Sequence, residues 1–187
     1  MPLPHFTQAR ASTQRFEPVQ ANLFEVTIFA PNAVSNYDQG LVLEQVISIG
    51  GLNNLNPSVD PVIQKYKFSD RSYAGMPGST FVDLAVNFTL NLNDANENYM
   101  YNNFRDWYKL IYDPQTGEMT LKKDYVGSMI IVEYNRAGDI FRKITCKDIF
   151  ITGQPDFTDE LNYATADPVE LSITFRCDHW TEENVGG

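Results

Sequence analysis

Residues 82–92, VDLAVNFTLNL, alternate apolar and polar side chains almost without interruption. Val82, Leu84, Val86, Phe88 and Leu90 share one face of an extended chain, and Asp83, Ala85, Asn87 and Thr89 share the other. A helix would scatter these residues around its circumference. Only a strand with one dry face and one wet face satisfies a period of two. The closing stretch VELSITFRCD (169–178) repeats the pattern, with Val169, Leu171, Ile173, Phe175 and Cys177 set against Glu170, Ser172, Thr174 and Arg176. Such strands require an antiparallel sheet buried on one side.

Four further segments read as strands. NLFEVTIF (22–29) places Phe24, Val26 and Ile28 on one face, and LVLEQVISIG (41–50) is an apolar run interrupted by Glu44 and Gln45. SMIIVEY (128–134) and DIFRKITCKDIFI (139–151) flank Asn135-Arg136-Ala137-Gly138, whose Asn and Gly favour a hairpin turn. The closing strand is expected over 168–180, carrying Cys177 and His179 on one face.

One helix is expected from Asp94 to about Ile111. Met100, Phe104, Trp107 and Ile111 follow steps of four, three and four and form its core face. Asn102, Asn103, Arg105, Asp106 and Lys109 form its wet side. Asp94 and Glu97 are placed for a capping box, and Asp113-Pro114 ends the helix. About six strands and one amphipathic helix predict a mainly β, α+β domain, an antiparallel sandwich or partial barrel with one flanking helix.

Residues 51–81 are too long for a passive connection and contain a further short strand pattern, VIQKYKF (62–68). A second long connection spans 112–127. Excursions with strand signals and aromatic residues point to surfaces for partner chains. The expected organisation is an assembly arm over 1–20 and one domain over 21–187.

The 187 residues carry a net charge of −10, which opposes ordinary phosphate binding by Lys and Arg. No apolar run reaches the roughly 20 residues of a spanning helix. The start, MPLPHFTQAR, lacks the apolar centre of a signal peptide. With two cysteines and two histidines, the ligand supply for a zinc tetrad is thin. Cys146 and Cys177 are expected as buried thiols, and a disulfide between them requires their strands to be neighbours.

Cys177, Asp178 and His179 look like a nucleophile, an acid and a base side by side. Strand geometry separates them. Cys177 and His179 would lie roughly 6–7 Å apart on one face, beyond hydrogen-bond reach, with Asp178 on the other. G-x-S-x-G, P-loop, G-x-G-x-x-G and H-E-x-x-H patterns are absent. Asp156, Asp159 and Glu160 lie in a Gly/Pro/Asp-rich connection where acids are ordinarily solvated turn residues. They do not have the spacing of a calcium loop. The expectation is a non-enzyme without a cofactor or metal. The rivals are a carbohydrate-binding module using Tyr66, Tyr73 and Tyr163, and a small hydrolase using carboxylates.

Three stretches together resemble the tail tube proteins of contractile-tailed, T4-like bacteriophages. ANLFEVTIFA (21–30) is similar to that family's opening strand. NENYMYNNFRDWYKLIYD (96–113), after VDLAVNFTLNL, resembles its strand and helix. KDIFITGQPDFTDELNYATADPVELSITFRCDHW (147–180) resembles its ending, through Gly153, Pro155, Leu161, Tyr163, Phe175, Asp178 and Trp180. The resemblance implies subunits whose sheets join into a ring-shaped barrel of about six copies, with rings stacked around a lumen that conducts DNA. It also implies a sheath, a baseplate and a terminator as partners, and a place in the virion tail after assembly in the host cytoplasm. Asp83, Asn87, Thr89, Glu170, Ser172 and Thr174 are then the expected lumen lining. Residues 51–81 become the inter-ring element, with Lys65, Lys67, Lys122 and Lys123 facing Asp156, Asp159 and Glu160 of a neighbour. A baseplate-proximal tube protein, or the inner tube of a phage-derived injection system, is the alternative within the same architecture.

Overall fold

In the computed structural model the described residues are 20–35, 37–56, 58–77, 81–90, 100–153 and 170–184. They form nine strands: β1 (Phe24–Phe29), β2 (Val46–Gly50), β3 (Val59–Lys65), β4 (Asp70–Pro77), β5 (Val82–Thr89), β6 (Gly127–Tyr134), β7 (Ile140–Ile151), β8 (Glu170–Cys177) and β9 (His179–Asn184). The α-helices are α1 (Gln39–Gln45), α2 (Met100–Ile111) and the single turn α3 (Lys122–Tyr125), with a 3-10 turn at Leu52–Leu55. Seven strands make one open antiparallel sheet in the order β1-β6-β7-β8-β5-β2, with β9 added beside β7. Strands β3 and β4 form a separate hairpin.

The alternating segment 82–89 behaves as its pattern requires. Val82, Leu84, Val86 and Phe88 are buried, while the residues between them are half-buried on the opposite face. Helix α2 covers the dry face. Its Met100, Phe104 and Trp107 are buried, and Ile111 packs against the core from a partly buried position. Phe104 stands 5.2 Å from Phe88 and 6.0 Å from Phe175, centroid to centroid, so helix and sheet meet in an aromatic cluster. Trp107 Nε1 donates to the Tyr125 carbonyl at 2.7 Å, which satisfies the indole in a dry site. The capping pair Asp94 and Glu97 lies outside the described residues.

Three expectations need correction. The run 41–50 is not one strand. Asp38 Oδ1 accepts from Gly40 N at 2.9 Å and Leu41 N at 3.2 Å, and this cap starts α1 before the chain extends into β2. Asn103 is not on the wet side. It lies three residues after Met100 and four before Trp107, so it shares their face and is buried, with Nδ2 unpartnered.

The closing strand is also not continuous. β8 ends at Cys177, and a bend at Asp178 passes the chain to β9, which pairs with β7. The bend inverts the side-chain parity. Cys177 is buried, His179 is exposed, and the partly buried Trp180 stands opposite Cys146. Cys177 and His179 therefore do not share a face. The same inversion occurs in β7, where Ile144 and Cys146 are buried before Asp148, and Ile149 and Ile151 after it. Asp148 adopts φ 55°, an uncommon left-handed conformation for a non-glycine residue and typical of a bulge that bends a strand. Lys122 on α3 forms an ion pair with Asp178, next to this double bend.

Candidate assembly surfaces

The outward face of β2, β5 and β8 is a polar band. Cross-strand register aligns Asp83 with Arg176, Ala85 with Thr174, Asn87 with Ser172 and Thr89 with Glu170. Asn87 Nδ2 donates to Ser48 Oγ at 2.9 Å and carries the band onto β2. The six residues expected as a lining, Asp83, Asn87, Thr89, Glu170, Ser172 and Thr174, thus stand on one continuous face opposite the core. Arg176, absent from that expectation, grips Asp83 through Nε and Nη2, both at 2.8 Å. That contact holds the Asp83 carboxyl below its usual range.

The hairpin is the second surface. Every residue of β3 is exposed, and all of β4 except Gly75. Phe68 is 91% exposed and Met76 is 90% exposed, an expensive display of apolar surface for a lone subunit. Lys65 and Lys67 stand on this hairpin, and Lys67 Nζ sits 5.4 Å from the Phe68 ring centroid. Tyr66 and Tyr73 are exposed there too. Lys122 finds Asp178 on its own chain, whereas Lys123 is exposed and lines an open cleft of about 710 Å³ with Asp124, Lys147 and Asp148. Asp156, Asp159, Glu160 and Tyr163 lie outside the described residues.

The unpaired sheet margins are the third surface. Among the described residues β1, β2 and β9 each have one strand neighbour, and β1 and β2 end the strand order. At the β1 margin the Ile28 carbonyl accepts from the Tyr37 hydroxyl, and among the described residues no further strand pairs with either margin. Between them lies a largely apolar cleft of about 510 Å³, bordered by Phe24, Ile47, Ile49 and Leu52.

The thiols do not form a catalytic arrangement with His179. Cys177 Sγ donates to the His179 carbonyl at 3.1 Å, while the imidazole itself is exposed. Cys146 and Cys177 are free and buried. A hydrogen bond with Cys177, and then burial, push the Cys146 thiol far above the range of a reactive cysteine. Among the described residues, no three His, Cys, Asp or Glu side chains converge as metal ligands. No helix among them is long and apolar enough to cross a membrane.

No protein-family model matches the sequence, and no curated protein matches it. Solved structures do match. A chain of the PVC sheath–tube complex, from an extracellular contractile injection system in the extended state, superposes with a TM-score of 0.60. It is 14% identical, over 98% of this chain and 100% of that one. This is the tube-protein fold. The PVC sheath/tube terminator has a TM-score of 0.59 at 14% identity, over 90% of this chain and 98% of that chain. The tube-terminating cap of the anti-feeding prophage gives 0.58 at 13% identity, over 91% and 93%. The polar band, the sheet margins and the exposed hairpin are the surfaces that lie outside the buried core of this fold.

Proposed function

We propose that this chain is the subunit of a phage tail tube or of the inner tube of a phage-derived contractile injection system. Copies join at their open sheet margins into rings of about six, and the rings stack axially. The observation that carries this reading is full-length correspondence to the tube-protein fold, coupled with sheet edges left open in the single chain. An exposed edge is an aggregation hazard unless another strand covers it, and ring closure covers it. The polar band on β2, β5 and β8 lines the lumen, where small neutral and acidic side chains let DNA pass without being held. Sheath, baseplate and terminator proteins are the partners along and at the ends of the tube. The tail of the virion is the final location, reached after assembly in the host cytoplasm. A baseplate-proximal tube protein would use the same surfaces while stacking on its own kind at one end only.

Residues 51–81, together with an N-terminal assembly arm over 1–20, bridge successive rings, with Lys65 and Lys67 meeting Asp156, Asp159 and Glu160 of the next copy. Lys123 is a further candidate for that contact. Electron microscopy of the purified protein tests the reading: tubes or six-fold rings are expected, and a monodisperse monomer at high concentration would overturn it. Reversing the charge of Lys65 and Lys67 should slow assembly or shorten the tubes. Unchanged length and rate would count against the axial role.

A further inference from the structure

Arg176 is the one cation among the described outward-facing residues of β2, β5 and β8. An exposed guanidinium is a strong phosphate ligand, because its planar fork matches two phosphate oxygens at once. Repeated once per subunit along a tube, it would form a ladder of phosphate sites on a surface that must not hold DNA. In this structure the fork is already occupied. Nε meets Asp83 Oδ1 and Nη2 meets Asp83 Oδ2, each at 2.8 Å, which is the two-point geometry a phosphate would use. The guanidinium carbon also lies 4.2 Å from the centroid of the Phe81 ring, so one flat face is covered. Asp83 and Arg176 are directly opposed in the β5–β8 register, so the strand pairing itself holds the acid in place.

We propose that Asp83 and Phe81 form a cover over Arg176 that keeps this face from capturing the phosphates of nucleic acid. The proposal rests on the lumen reading for its purpose, but the cover is a property of the single chain. Removing Asp83 exposes a fork. Removing Glu170, at the other end of the same band, changes the net charge equally and exposes nothing.

The test is retention on a column of immobilised duplex DNA, across a salt series, for wild type, D83A, E170A and D83A/R176Q. D83A is expected to elute at distinctly higher salt than E170A, and D83A/R176Q, whose net charge equals that of the wild type, is expected to return to the wild-type position. Thermal melting of each variant reports folding, and D83N provides a second version if D83A melts early. Equal elution of D83A and E170A would overturn the cover, as would a D83A shift that survives R176Q. A parallel column of immobilised polyglutamate separates phosphate from carboxylate. Retention of D83A there equal to that on DNA would overturn the assignment to nucleic acid. Electron microscopy of the same preparations scores ring formation independently, so a chain that forms no rings fails the tube reading while the columns still decide the cover.

Discussion

Trp107 and Phe68 are both large aromatic residues on one chain, and they occupy opposite situations. Trp107 is fully buried, lies 5.7 Å from the Phe175 ring and donates its indole proton to Tyr125. Phe68, at the tip of the β3–β4 hairpin, is 91% exposed. The first belongs to a region that completes its contacts within the chain. The second belongs to a region whose strands, among the described residues, pair only with each other, and an isolated two-stranded hairpin is marginal in water. Under the proposed assembly, the difference separates the part of the sequence that folds the chain from the part that would meet another copy.

The largest expected effect lies in the core. Trp107→Ala should destabilise the subunit by roughly 3–5 kcal/mol, since it leaves a cavity and strands the Tyr125 carbonyl. Against a typical domain stability of roughly 5–15 kcal/mol, that is a large fraction. Denaturant unfolding of the unassembled chain measures it. A loss below about 1 kcal/mol would mean that α2 does not seal the sheet as described.

The core was also the part most legible from sequence, because intrachain burial leaves a period. Alternation along 82–89 and the 100–104–107 spacing each encode one dry face. Where the period changes inside one segment, the pattern misleads. The apolar run 41–50 hides a helix-to-strand transition that Asp38, a capping residue four positions before Val42, could have signalled. At Asp148 and Asp178 a single residue inverts the parity of everything beyond it. Nothing in the alternation itself announces that inversion. The polar band was legible as a face, but Arg176 was missed because a cation on a proposed DNA-facing wall is informative only with its partner in view. The proposed assembly contacts were less legible still, since their other half would lie on another chain.

A smaller effect, again in the folded body, is pH-dependent. Tyr37 donates its hydroxyl to the Ile28 carbonyl at 2.9 Å, and burial pushes its phenol well above the ordinary value of 10.0. The folded chain therefore retains that proton at pH values where the unfolded chain has lost it. Stability contributed by the neutral phenol is complete below pH ~10 and falls as pH rises further, by up to about 1.4 kcal/mol per pH unit. Tyr37→Phe should flatten this alkaline slope. An unchanged slope would show that Tyr37 ionises freely and that the loop carrying it does not seal the core.

The smallest effect on the subunit is expected in the hairpin, and it sharpens the comparison most. Phe68→Ser with Met76→Ser removes two apolar side chains that the single chain leaves about nine-tenths in water. Nothing is lost from the core, so unfolding of the unassembled protein should shift by no more than about 0.5 kcal/mol. Assembly is a different matter, because burial of those side chains against a neighbouring copy would be gained only there. Tubes should become shorter or appear only at higher protein concentration. A subunit destabilised by more than about 1 kcal/mol would mean that the hairpin packs against its own body, and the division between folding and meeting regions would fail. Unaltered tubes from an equally stable variant would remove the hairpin from the assembly surface and leave ring stacking to the sheet margins and the rest of the chain.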